Sequence, residues 1–143
     1  MDHDLHGLQI AIVWDDPPDL IDIRVRASTG LFCGDIRTYG APDALRALAD
    51  AIDGFPRART DLRELTLGLV GPNVAGGAVS LRFSCADGAG HAALEVRMES
   101  GESSDNPATA CFSLRFEPSA LDRFVRELRQ LAPNGGCAVL PAA

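Results

Sequence analysis

LIDIRVRASTGLFCGDIRTYGAPDALRALADAIDGFP, residues 20–56, holds the pattern that decides the fold. Ile21, Ile23, Val25 and Ala27 alternate with Asp22, Arg24, Arg26 and Ser28, the period-two signature of a strand with one dry face and one wet face. Ser28-Thr29-Gly30 supplies a turn, because glycine reaches positive φ without steric cost. The chain then returns through residues 31–39, with Phe32, Gly34 and Ile36 expected inward. After Tyr39-Gly40, Pro42 is expected at the first position of a helix, since its fixed φ is already helical. Leu45, Leu48, Ala49 and Ile52 form one helical stripe, and Gly54 with Pro56 ends it. Hairpin and helix each leave an apolar face that neither buries alone, so they are expected to cover each other.

Working outward, Leu8, Ile10, Ile12 and Trp14 read as an opening strand stopped by Asp15-Asp16-Pro17-Pro18-Asp19. Beyond residue 56, Leu65, Leu67 and Leu69 suggest a fourth strand. Val79, Leu81, Phe83 and Cys85 make a fifth. Asp87-Gly88-Ala89-Gly90 is a hairpin signal into a sixth strand carrying Ala92, Leu94, Val96 and Met98. Ala110, Phe112, Leu114 and Phe116 give a seventh. Ser119 with Asp122 forms a capping-box pattern ahead of the stripe Leu121, Phe124, Val125, Leu128 and Leu131. The tail CAVLPAA, residues 137–143, is compatible with a sheet edge or with a frayed end.

Tyr39-Gly-Ala-Pro42-Asp-Ala-Leu45 and Phe116-Glu-Pro118-Ser-Ala-Leu121 match in type. With Leu45 laid on Leu121, Leu48 falls on Phe124, Ala49 on Val125 and Ile52 on Leu128, as if one strand-to-helix transition were used twice. The expected architecture is a single α+β domain over residues 1–143 with its core in 8–132, order βββαββββα. In it one mainly antiparallel, twisted sheet of about seven strands carries both helices on one face. The other face would hold Asp22, Arg24, Arg26, Arg37, Arg82, Glu95, Arg97 and Arg115. These serve either as cross-strand charge pairs or as an open platform for a partner.

Composition fits one globular domain: 143 residues, 46% apolar and 23% charged. A net charge of -7 argues against general affinity for nucleic acid and favours a basic partner. No apolar run approaches the roughly 20 residues that span a bilayer. The start MDHDLHG is acidic where a signal peptide would be basic, so a cytoplasmic protein is expected. Cys33, Cys85, Cys111 and Cys137 lack metal-site spacing and read as core or half-buried thiols.

No constellation of reactive residues has the spacing that catalysis needs. Histidine occurs only as His3, His6 and His91, and there is no G-x-S-x-G, phosphate-loop or H-E-x-x-H motif. Neither a metal nor a cofactor is expected. Asp15, Asp16 and Asp19 sit around prolines as a solvated acidic loop, where burial strong enough to raise a pKa is not expected. With Asp43, Asp50 and Asp53 they offer a rim for electrostatic docking.

The order of strand, GLFCGDIRTY, helix PDALRALADAI, strand pair and CFSLRFEPSALDRFV resembles small bacterial WapI-type immunity proteins and their uncharacterised relatives over residues 20–131. Matching positions include Phe32, Gly34, Asp35, Tyr39, Leu45 and Leu48. The resemblance implies a protein that binds and neutralises the toxic domain of a polymorphic toxin, often a nuclease, without catalytic residues of its own.

Two functions follow from this reading. The first is a non-catalytic protein-binding module, an immunity protein for a basic toxin domain, with Asp15, Asp16, Asp19, Arg24, Arg26, Arg37, Arg82, Arg97 and Arg115 as candidate partner-binding residues. The second is a small-molecule-binding or enzymatic domain with a pocket between sheet and helices, using His91, Cys33 or an inward arginine. Homodimerisation through the sheet face or an edge strand is compatible with both. Neither nucleic acid nor membrane is an expected partner.

Overall fold

The computed structural model describes residues 5–14, 19–68, 76–101, 108–133 and 135–143. Its strands are β1 (Gly7–Trp14), β2 (Ile21–Ser28), β3 (Cys33–Gly40), β4 (Leu62–Leu67), β5 (Ala78–Cys85), β6 (Ala92–Glu99), β7 (Thr109–Phe116) and β8 (Ala138–Pro141). The helices are α1 (Ala44–Ile52) and α2 (Pro118–Arg129). The fold is α+β, but the single sheet of the sequence reading is corrected to two antiparallel sheets of four strands, β3-β2-β1-β8 and β4-β5-β6-β7. Alternation along each strand fixes which side is dry, but it carries no information on where a long meander breaks.

The break has a simple logic. Placed end to end, the two sheets run β1 to β8 in sequence order around a ring, and the ladder is interrupted only at β3|β4 and β7|β8. Those are the two connections made by a helix. Across the first seam Gly77 donates to the Arg37 carbonyl at 2.9 Å, and across the second Ala143 donates to the Arg115 carbonyl at 2.7 Å.

The repeated strand-to-helix transition extends through both halves. Leu8 opposite Ala27 and Ile12 opposite Ile23 in the first sheet match Val79 opposite Met98 and Phe83 opposite Leu94 in the second. Ser28 opposite Cys33 matches Glu99 opposite Thr109. Leu8 opposite Leu140 matches Val79 opposite Leu67, so β8 holds in one sheet the place that β4 holds in the other. The tail is therefore a strand, with Ala138 and Leu140 buried against β1.

One core joins both sheets and both helices. Ile10, Ile23 and Val25 from the first sheet, Leu81, Leu94 and Val96 from the second, and Leu48, Ile52, Leu121 and Phe124 from the helices are all buried. Phe83 lies 6.0 Å from both Phe55 and Phe116, centroid to centroid, and the Phe83–Phe116 contact is edge-to-face. Such pairs add about 0.5–1.5 kcal/mol each beyond their buried area. A side chain at Gly34 would meet the Met98 sulfur and require that methionine to shift.

Local details differ from the sequence reading in four places. Phe32 is not inward: β3 begins at Cys33, which leaves Leu31 and Phe32 in the turn, 88% and 68% exposed. Pro42 sits in the turn ahead of α1, whose N-cap is Asp43. Pro118 opens α2, so Ser119 lies inside the helix and makes no cap. Cys33 and Cys111 are exposed rather than buried, while Cys85 and Cys137 are half-buried. Leu69, expected in β4, lies outside the described residues.

Candidate functional site

The tip of the β2–β3 hairpin is braced from within. Thr29 donates its N–H to the Phe32 carbonyl at 2.9 Å. Its Oγ1 accepts the N–H groups of Leu31 at 3.2 Å and Phe32 at 3.0 Å. Ser28 Oγ accepts from Gly30, whose φ of 90° is the left-handed conformation that the turn requires. The turn thus satisfies its own N–H groups and leaves two large apolar side chains in solvent. Beside them lies a small cavity of about 120 Å³ that includes Leu5, Arg26, Phe32 and Asp35 in its walls.

The arginines of the first sheet line the outer face behind that tip, each set beside a carboxylate. Arg24 grips Asp35 with two bonds, 2.9 and 2.5 Å, and Arg26 Nε approaches the same carboxylate at 3.9 Å. Arg26 also reaches Gln9 Oε1 at 3.3 Å. The hydrogen bond from Arg24 is the main cause that holds the Asp35 carboxyl below the usual range, against a smaller opposing effect of burial. Arg37 binds both oxygens of Asp22, which is 1% exposed although it points to the outer face, and this raises the guanidinium above its ordinary value. The Trp14 and Tyr39 rings meet at a tilt of 59°, centroids 6.3 Å apart, beside this pair.

Arg82, Arg97 and Arg115 lie on the outer face of the other sheet, so the single arginine stripe expected from the sequence is divided between two faces. Arg82 bonds Glu64 at 3.2 Å and stands opposite Glu95, and Arg97 approaches Glu99 at 3.5 Å. Arg115 stands opposite Ala93 and has no carboxylate within ion-pair distance among the described residues. Arg24, Arg37 and Arg82 thus sit in cross-strand ion pairs, while Arg97 pairs along its own strand. Asp19 is exposed just before β2, and Asp15 and Asp16 lie outside the described residues. Of the other rim acids, Asp50 and Asp53 are taken up by Arg129 at 2.5 and 3.3 Å, which joins α2 to α1.

His91 holds Asp87 at 3.0 Å in the β5–β6 turn, with Glu117 3.8 Å from its other nitrogen. The Asp87 carboxyl is lowered chiefly by the Ala89 N–H and next by His91. The ring faces carboxylates on an exposed turn, with no nucleophile beside it among these contacts. Among the described residues no group of three His, Cys, Asp or Glu is placed to hold a metal ion, and no helix is long and apolar enough to cross a membrane. Arg63, an inward arginine, is consumed by the Ala51 and Asp53 carbonyls at 3.2 and 2.8 Å and by the Phe55 ring.

The sequence reading missed the exposure of Leu31 and Phe32. The available signal was the turn itself: Ser-Thr-Gly ahead of Leu31 makes a four-residue loop, with Ser28 opposite Cys33, that consumes both apolar residues. Comparison with family models, curated proteins and solved structures returned no match.

Proposed function

We propose that this chain is a non-catalytic protein-binding module that engages its partner with the β2–β3 hairpin tip. The observation that carries the reading is the pair Leu31 and Phe32, held in solvent by a turn whose four N–H groups are all bonded within it. Rigid, exposed apolar side chains ringed by polar groups are the form taken by binding hot spots, and ordering them costs little because the loop is already fixed. Arg24, Arg26 and Asp35 behind the tip supply such a ring.

The net charge of -7 suits a basic partner through steering of the encounter. The finer reading is an immunity protein that occludes a toxin domain in the cytoplasm. A pocket enzyme is disfavoured by the packed core between sheets and helices and by the surface positions of His91 and Cys33. Co-expression with the toxin domain encoded beside this chain tests the role. Cells should be protected by the wild type and lose protection with Leu31→Ser/Phe32→Ser, and an unprotected wild type would sink the immunity reading.

A further inference from the structure

The two seams of the ring are built from equivalent elements but filled differently. At β7|β8, Glu127 of α2 accepts the backbone N–H of Val139 at 3.1 Å, so the helix covers the strand edge. At β3|β4 the helix position matching Glu127 is Ala51. The strand position matching Val139 is Thr66, since Thr66 stands opposite Ser80 of β5 as Val139 stands opposite Gln9 of β1. Alanine has no acceptor to offer.

The direction of the Thr66 backbone follows from its neighbours. Gly77 sends its N–H to Arg37, away from β6, so alternation along β5 turns the Ser80 N–H towards β6. Ser80 and Thr66 are then a pair without mutual backbone hydrogen bonds, joined only through their hydroxyls at 3.2 Å, and Thr66 presents its N–H and C=O to the seam. Glu64 does the same two residues earlier. Among the described residues neither N–H meets an acceptor.

Beside this edge runs a groove of about 270 Å³ whose walls include Tyr39, Ala44, Ala47, Ala51 and Leu65. Ala47 and Ala51 are exposed, and α1 lies less closely against β4 than α2 against β8. Arg63 ties β4 to the C-terminal end of α1 by bonding the Ala51 and Asp53 carbonyls. Size decides what fits. A nine-residue helix is about 14 Å long and a six-residue strand about 20 Å. Together they frame on the order of 300 Å², well short of the roughly 800 Å² per partner that a stable dimer uses.

We infer that the β3|β4 seam is a docking site for one extended segment of a partner protein. The segment adds as a strand to the free edge of β4 and turns small or aliphatic side chains towards Ala44, Ala47 and Ala51. Main-chain bonds to Glu64 and Thr66 would supply affinity, and the alanine wall excludes bulky residues at alternate positions. This inference rests on the chain working by binding protein, but on a surface separate from the hairpin tip.

A phage-displayed library of random dodecapeptides, selected against the whole chain, tests it. The selected peptides are titrated into wild type, Ala51→Glu, Ala47→Arg and Leu31→Ser/Phe32→Ser, with amide exchange read at Glu64 and Thr66. Ala51→Glu copies Glu127 and should cap Thr66 from within. Ala47→Arg fills the groove by bulk, and both changes lie on an exposed helix face. Peptides should protect both amides, lose about tenfold or more in affinity with either groove variant, and bind the hairpin variant unchanged. Peptides that respond only to the hairpin variant would overturn the seam and leave the proposed function standing. A selection without seam binders, or a wild-type dimer abolished by Ala51→Glu, also overturns it.

Discussion

The carboxylate of Glu127 on α2 holds the backbone N–H of Val139 on β8, 3.1 Å away. A helix side chain here does the work of a neighbouring strand. Glu127→Ala should lower stability by about 1 kcal/mol, the cost of an unmet backbone donor. Faster exchange of the Val139 amide should accompany it, and unchanged exchange would contradict the assignment.

Leu140 tests whether the last strand belongs to the core. It is 2% exposed and stands opposite Leu8, so Leu140→Ala should cost roughly 2–5 kcal/mol in urea unfolding, as buried leucines do. A loss under about 0.5 kcal/mol is the surface value and would mean the strand is frayed.

Leu31→Ser/Phe32→Ser should shift stability by no more than about 0.5 kcal/mol, because neither side chain is buried. Partner affinity should fall about tenfold or more. Calorimetry on the complex, beside urea unfolding of the free chain, separates the two effects.

Arg24 and Asp35 give a pH dependence with a defined sign. The folded carboxyl titrates below its unfolded value, so its contribution is full above the ordinary carboxylate range, about pH 4, and fades as pH falls through the folded value. Arg24→Gln should therefore destabilise at about pH 7 and lose that effect once pH falls below the folded carboxyl's value. The difference at neutral pH should stay under about 1 kcal/mol, since the pair is largely solvent-screened. Urea midpoints of both proteins across this range would show a constant gap if the pair contributes nothing.

Thr38 is fully buried, and its Oγ1 has no hydrogen-bond partner among the described residues. Thr38→Val keeps the shape and removes the unmet hydroxyl, so stability should rise by about 1 kcal/mol. A loss on thermal unfolding would show that the hydroxyl is bonded after all.

The strands and helices were legible because their side-chain periods of two and 3.6 are written directly in residues such as Ile21 to Ala27 and Leu45 to Ile52. The repeat was legible in Leu45 and Leu121 for the same reason. What stayed hidden was relational. Nothing about Leu140 announces that its partner is Leu8, and the identical alternation of β3 and β4 fits one sheet as well as two. The candidate arginines lay where alternation placed them, on outer faces. The pairing of Arg24, Arg37 and Arg82 depended on cross-strand carboxylates, which register sets. Phe32 shares the parity of Gly34 and Ile36, but β3 starts at Cys33, which leaves Phe32 in the turn and in solvent.

The ring order also carries a consequence for how the chain acquires its fold. β4 to β7 are joined by short-range pairings, and the second sheet can assemble as its residues emerge. β1 has to hold Leu8 and Ile10 until Ala138 and Leu140 arrive, the strand pairing most distant in sequence among the described residues, and loop-closure entropy is charged before that contact forms. Pulse-labelled exchange during refolding should find the β5 and β6 amides protected before those of β1 and β8. Closure of the ring by its last strand should then be the last pairing to form.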